Sequence, residues 1–156
     1  MEPILKEKIN KVIIFSEFSE MCKILYRELN KYQPLIIIGE TSSEKRKEAV
    51  KIFSSDPKRN LLIMSSAGAY GLNLQCASVI INYDQPWSIA KLQQREGRAH
   101  RFGQKNKIQI INMLSRGTVD YYVKKVLHAK AELSTTLLGD TPISMGDIQA
   151  MLKYEL

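Results

Sequence analysis

Four short, unbroken apolar runs constrain this chain more than any other feature: Val12–Phe15, Leu35–Ile38, Leu61–Met64 and Val79–Ile81. A fifth stretch, Ile108–Met113, is apolar at most of its positions. Their β-branched character and length suit strands. Because they do not alternate apolar with polar, both faces of each must be covered, as in a parallel sheet sandwiched by helices. Amphipathic stretches lie between them. Phe18, Met21, Cys22, Leu25 and Leu29 recur at helical spacing, with Phe18 expected in the core. Thr41–Ser42–Ser43–Glu44 reads as a capping box opening a helix that turns Ala49, Val50 and Phe53 inward, and Asp56–Pro57 stops it. Thr118 can cap a further helix through Val119, Tyr122, Val123, Val126 and Leu127. The expected architecture is a three-layer α/β fold with a parallel sheet and right-handed crossovers.

At 156 residues the chain suits one domain with a sizeable core. Residues 1–138 are expected to form it, and residues 139–156 a linker and a short helix from Met145 to Lys153. Cys22 and Cys76 are too few for a disulfide framework or a zinc site and read as buried thiols in a reducing compartment. His100 reads as a packing or hydrogen-bonding residue, with no second histidine near it in sequence to make a metal site. The apolar runs are too short to span a membrane and nothing resembles a signal peptide. The expected setting is therefore intracellular: the cytoplasm of a prokaryote or a virus-infected cell, or a nucleus. The formal charge is +7, from 23 Lys and Arg against 16 Asp and Glu. That balance suggests an acidic partner, nucleic acid first. Much of it sits between residues 91 and 107, where Lys91, Arg95, Arg98, Arg101, Lys105 and Lys107 face only Glu96.

If residues 88–101 form one helix, Gln94, Arg98 and Arg101 fall at i, i+4 and i+7 and share a face. A fixed row of guanidiniums suits the phosphates of a nucleotide. Arg95 lies off that stripe, where it either forms a salt bridge or meets solvent. The segment Asp84–Gln85–Pro86–Trp87–Ser88–Ile89–Ala90–Lys91–Leu92–Gln93–Gln94, running into the arginines and on to Gly103–Gln104, closely resembles the last signature of the Swi/Snf-type ATPases. These are DNA translocases of helicase superfamily two. Upstream, Ser65–Ser66–Ala67–Gly68–Ala69–Tyr70–Gly71–Leu72–Asn73–Leu74 resembles the preceding signature of the same family. The resemblance runs from about Lys11 to Leu138 and implies a RecA-like lobe. It implies that Arg98 and Arg101 act as arginine fingers and that Gln94, Gly71 and Asn73 face the nucleotide. Thr41, Ser42, Arg46, Ser65 and Ser66 would lie toward the DNA backbone. Capping explains Thr41 and Ser42 equally well, and a capped helix start is itself a phosphate site. Trp87 packs between strand end and helix, with a coupling role between DNA and ATP sites as a further option. The chain departs from the family's pattern with Gly68–Ala69 in place of two glycines, and with Ser88–Ile89 where Asn-Pro is common.

A lobe that hydrolyses nucleotide by itself needs G-x-x-x-x-G-K-[S/T], whose amides and lysine cradle the phosphates. No segment here follows that pattern. The apolar run ending at Asp84 looks like a Walker B strand, but without a phosphate loop Asp84 is expected to be structural. The resemblance therefore implies the second lobe of a two-lobed motor. ATP and its Mg would be bound jointly with an N-terminal lobe, duplex DNA would be the partner, and the lobe alone would be an inactive monomer. Two other readings remain open at this point: the same lobe from another superfamily-two helicase, such as an RNA helicase, or a DNA-binding module that has lost catalysis.

Overall fold

The computed structural model describes residues 11–69, 71–86, 88–97 and 108–114. Strand β1 (Val12–Ser16) leads into helix α1 (Ser19–Glu28) and a 3₁₀ turn, Asn30–Tyr32. Then come β2 (Leu35–Ile37), α2 (Ser43–Ser55), β3 (Leu61–Ser65), β4 (Val79–Asn82), α3 (Ile89–Glu96) and β5 (Gln109–Asn112). The five strands form one sheet in the order β2-β3-β1-β4-β5. Every pairing is parallel. The chain leaves β1 for the far edge, returns to β3, then crosses to the other side of β1 for β4. This reversal makes the carboxyl ends of β1, β3 and β4 a topological switch point, where open α/β sheets place their ligands.

The unbroken apolar runs do face two layers. Ile13, Phe15, Leu62, Met64 and Ile80 pack with Ala49 and Phe53 of α2. Val12, Ile14, Leu61, Ile63, Val79 and Ile81 pack with Cys22 and Leu25 of α1. Each such side chain contributes about 1.5–3 kcal/mol relative to exposure, and in β1, β3 and β4 every residue is buried. Burial pushes the Cys22 thiol up to about 11, so it stays protonated and inert. Cys76 is also a free thiol but only partly buried, and it contacts the Ser54 hydroxyl.

Three local expectations need correction. Phe18 is 61% exposed rather than in the core: it stands at the N-cap of α1 with extended backbone, before the inward stripe begins. The capping box is shifted by one residue. Ser42, not Thr41, is the N-cap of α2, accepting from the Lys45 amide at 3.4 Å. Thr41 instead closes the preceding turn, its Oγ1 accepting from Ile38 N–H at 3.0 Å. Of the single helix expected over 88–101, α3 closes at Glu96 with Gly97 as its C-cap, and residues 98–101 lie outside the described residues. The start agrees: Ser88 caps it, accepting from Lys91 N–H at 3.4 Å. The segment from Thr118 and residues 139–156 lie outside the described residues. Among those described, no helix is long and apolar enough to cross a membrane.

Candidate functional site

The carboxyl ends of β1, β3 and β4 are polar where the strands are not. Ser16 and Glu17 follow Phe15, Ser65 and Ser66 follow Met64, Asn82 ends β4 and Asp84 lies just after it. One cation gathers them. Arg95 of α3 is 2% exposed, and its guanidinium lies 5.7 Å from the Phe15 ring. Its Nε donates to Ser66 Oγ at 3.1 Å. Nη1 donates to Asn82 Oδ1 at 3.4 Å and to the Asp84 carbonyl at 3.1 Å. Nη2 donates to Glu17 Oε1 at 2.7 Å and Asp84 Oδ1 at 3.3 Å. Asp84 also accepts from the Ser16 hydroxyl and, at 2.8 Å, from Glu17 N–H. It is structural, as expected, joining the ends of β1 and β4 to α3.

Glu17 is the second acid of this cluster. Its carboxylate accepts from the Ser66 hydroxyl at 2.7 Å and pairs with Lys91 at 3.4 Å. Burial alone would raise its pKa. The Ser66 hydrogen bond and the Arg95 and Lys91 charges outweigh burial and hold it below the ordinary glutamate value.

Beside this cluster, the loops after β2 and β3 are pressed together. A Cβ on Gly68 would stand 2.6 Å from the Ile37 carbonyl oxygen and 2.9 Å from its carbon, so only glycine lets the two backbones approach this closely. Gly71 has φ +76°, a left-handed conformation that glycine adopts freely, and open space around it. The result is a cleft lined by Thr41, Ser43, Arg46, Lys47, Gly71 and Leu72. Arg46 braces its rim by donating to the carbonyls of Thr41 (2.8 Å), Gly39 (2.8 Å) and Ile38 (3.5 Å). The cleft is open, and Arg46 and Lys47 make it basic. Among the described residues no group of three or more His, Cys, Asp and Glu is placed to hold a metal.

Residues 1–103 match the model of the helicase conserved C-terminal domain. The chain belongs to this family. It is 31% identical over 141 residues to the ATP-dependent helicase fft2 of Schizosaccharomyces pombe, covering 88% of this chain and 11% of that protein. It is also similar to the crystal structure of the C-terminal part of the Fun30 ATPase domain, with a TM-score of 0.75 and 29% identity over 81% of this chain and 41% of that one. A third similarity is to the Sulfolobus solfataricus SWI2/SNF2 ATPase core in complex with double-stranded DNA. There the TM-score is 0.68 and the identity 28%, covering 85% of this chain and 28% of that one. The expected RecA-like architecture and the Swi/Snf resemblance are both borne out. The chain spans about a tenth of the length of the first relative.

Within the helicase domain, the expected site residues separate into groups. Thr41, Arg46 and Gly71 line the cleft, and Ser42 stands exposed at the start of α2. Asn73 is exposed nearby, its Oδ1 accepting from Gln75 N–H at 3.3 Å, and Gln94 is exposed on α3. Ser65 is 1% exposed, its hydroxyl accepting from Gly68 N–H at 3.2 Å, so it shapes the loop from inside. Ser66 is partly exposed but its hydroxyl is engaged by Glu17 and Arg95. Trp87, Arg98 and Arg101 lie outside the described residues. Arg95 takes the first of its two expected roles: it forms salt bridges and does not meet solvent. Its hub position was missed, although the signal was present. Arg95 stands three residues after the partly buried Leu92, on the same helical side and off the face of Gln94, Arg98 and Arg101. Glu17 carried a signal too, as an acid two residues after the unbroken apolar run Val12–Phe15.

Proposed function

We propose that this chain is the second lobe of an ATP-dependent translocase acting on double-stranded DNA. ATP and Mg are held jointly with an N-terminal lobe that carries the phosphate loop. Arg98 and Arg101 supply positive charge to the transferred phosphoryl group, and Gln94, Gly71 and Asn73 hold the nucleotide. Thr41, Ser42, Arg46 and the Ser66 loop, shaped from inside by Ser65, face the DNA backbone. Phosphoryl transfer is accelerated mainly by charge placed where it develops, and an arginine finger is worth about 10³–10⁵ in rate. Opening and closing of two such lobes would then move DNA.

One observation carries this reading. The loops after β2 and β3, matched by sequence to DNA and nucleotide contacts, meet in a single basic cleft at the carboxyl edge of the sheet. The DNA-bound SWI2/SNF2 neighbour supports it. Phosphate release and duplex binding by the purified chain test it. The chain should show no ATP turnover, with or without DNA, for want of a phosphate loop. It should bind duplexes weakly, without sequence preference, and with an affinity that falls steeply as salt rises. DNA-stimulated turnover by the chain alone, or salt-insensitive binding, contradicts the reading.

A further inference from the structure

The proposed function gives Arg95 no task, yet Arg95 is the most connected side chain among the described residues. A guanidinium has five N–H donors, and five hydrogen bonds leave this one. Stability alone is a poor account of such a group, because desolvation offsets most of what a buried ion pair contributes. Its connections are more telling. Ser66 belongs to the loop after β3, Glu17 to the turn after β1, Asn82 to the end of β4 and Asp84 to the residues just after it. Arg95 itself stands two residues before Gly97, where the chain leaves α3 for Arg98. The Ser66 hydroxyl is the shared element, accepting from Arg95 and donating to Glu17. Displacing Ser66 therefore breaks a bond to α3 and a bond to the β1 turn together.

We propose that Arg95 is a positioning residue that makes the loop after β3, the turn after β1 and the carboxyl end of α3 move as one body, so that an anion contacting the Ser66 loop is felt at Gly97. The identity of that anion, duplex DNA, rests on the function proposed above; the mechanical coupling does not.

Residue-resolved amide hydrogen exchange on the full 156-residue chain, with and without duplex DNA, tests this. Glu17→Gln keeps the shape and the acceptor oxygen but removes the charge, and charged hydrogen bonds exceed neutral ones by enough to change local opening about tenfold. Exchange should accelerate by that factor at three amides together. These are Glu17 N–H, bonded to Asp84; Ser66 N–H, bonded to the Ser16 carbonyl; and Gly97 N–H, bonded to the Gln93 carbonyl. Arg95→Lys, which keeps the charge but loses the fork, should do the same. If it fails to fold, Glu17→Gln decides alone. Acceleration confined to Glu17, or none, overturns the proposal. In the DNA arm, duplex should slow Gly97 in the unaltered chain. In Glu17→Gln that slowing should vanish while protection at Thr41 N–H persists. Equal slowing at Gly97 in both proteins also overturns the proposal. If duplex slows no amide anywhere, the DNA reading fails, and the variant arm still decides the coupling.

Discussion

Gly68 and Glu17 show how single residues set this site. Gly68 has no room for a methyl group against the Ile37 backbone, and a strand backbone moves less readily than a side-chain tip. Gly68→Ala should therefore cost about 1–3 kcal/mol, as overpacking does, read as a lower urea midpoint. An unchanged midpoint would mean that the loops after β2 and β3 are not held together there. Glu17 has its pKa depressed in the folded protein, so it contributes stability above its unfolded pKa. That contribution is lost as pH falls through the ordinary glutamate range to the folded value. Thermal melts of the unaltered chain and Glu17→Gln should converge on acidification below that range, and curves that stay parallel would contradict it. The roles of Gly68 and Arg95 differ in legibility. A glycine after a strand signals a close approach, but which backbone it meets is a tertiary fact. Arg95 was obscured by its company: in a run of cations, one residue on the inward side of the helix looks like the rest until its acceptors from three strand ends are seen.

At the scale of elements, the strands and helix starts were readable because they depend on local chemistry. Consecutive apolar residues demand two covered faces, and serines before helical stretches cap them. What failed were positions where neighbouring residues compete for one role. Thr41 and Ser42 can both cap α2, and the choice fell to Ser42 because Thr41 is held in the preceding turn by Ile38. Helix α3 closes at Glu96 with Gly97 as its C-cap, and a glycine weakens a helix whatever the side-chain periodicity around it. The cap on α2 is long at 3.4 Å, so Ser42→Ala should lose about 0.5–1 kcal/mol, the low end for caps. Arg46→Ala frees three loop carbonyls and should lose more, since hydrogen bonds from charged groups contribute about 1.5–3 kcal/mol. Urea denaturation of both variants checks the order. If Ser42→Ala proved the more damaging, Arg46 would not be bracing the loop.

At the scale of the whole molecule, the described residues form a parallel sheet whose strand order reverses at β1, with loops from three strands converging at one edge. The sequence pattern announced the layers; strand order and the joining of two loops into one cleft depend on contacts between distant residues, which the motifs pointed to only through their likeness to a family. The central claim is that the arginines after Gly97 serve ATP hydrolysis rather than DNA binding. The most direct test is DNA-stimulated phosphate release by the two-lobed protein carrying Arg101→Ala, with duplex affinity measured in parallel. The rate should fall by roughly 10³-fold or more while DNA affinity stays close to that of the unaltered protein. Loss of DNA affinity with hydrolysis intact would make Arg101 a backbone contact and contradict the account.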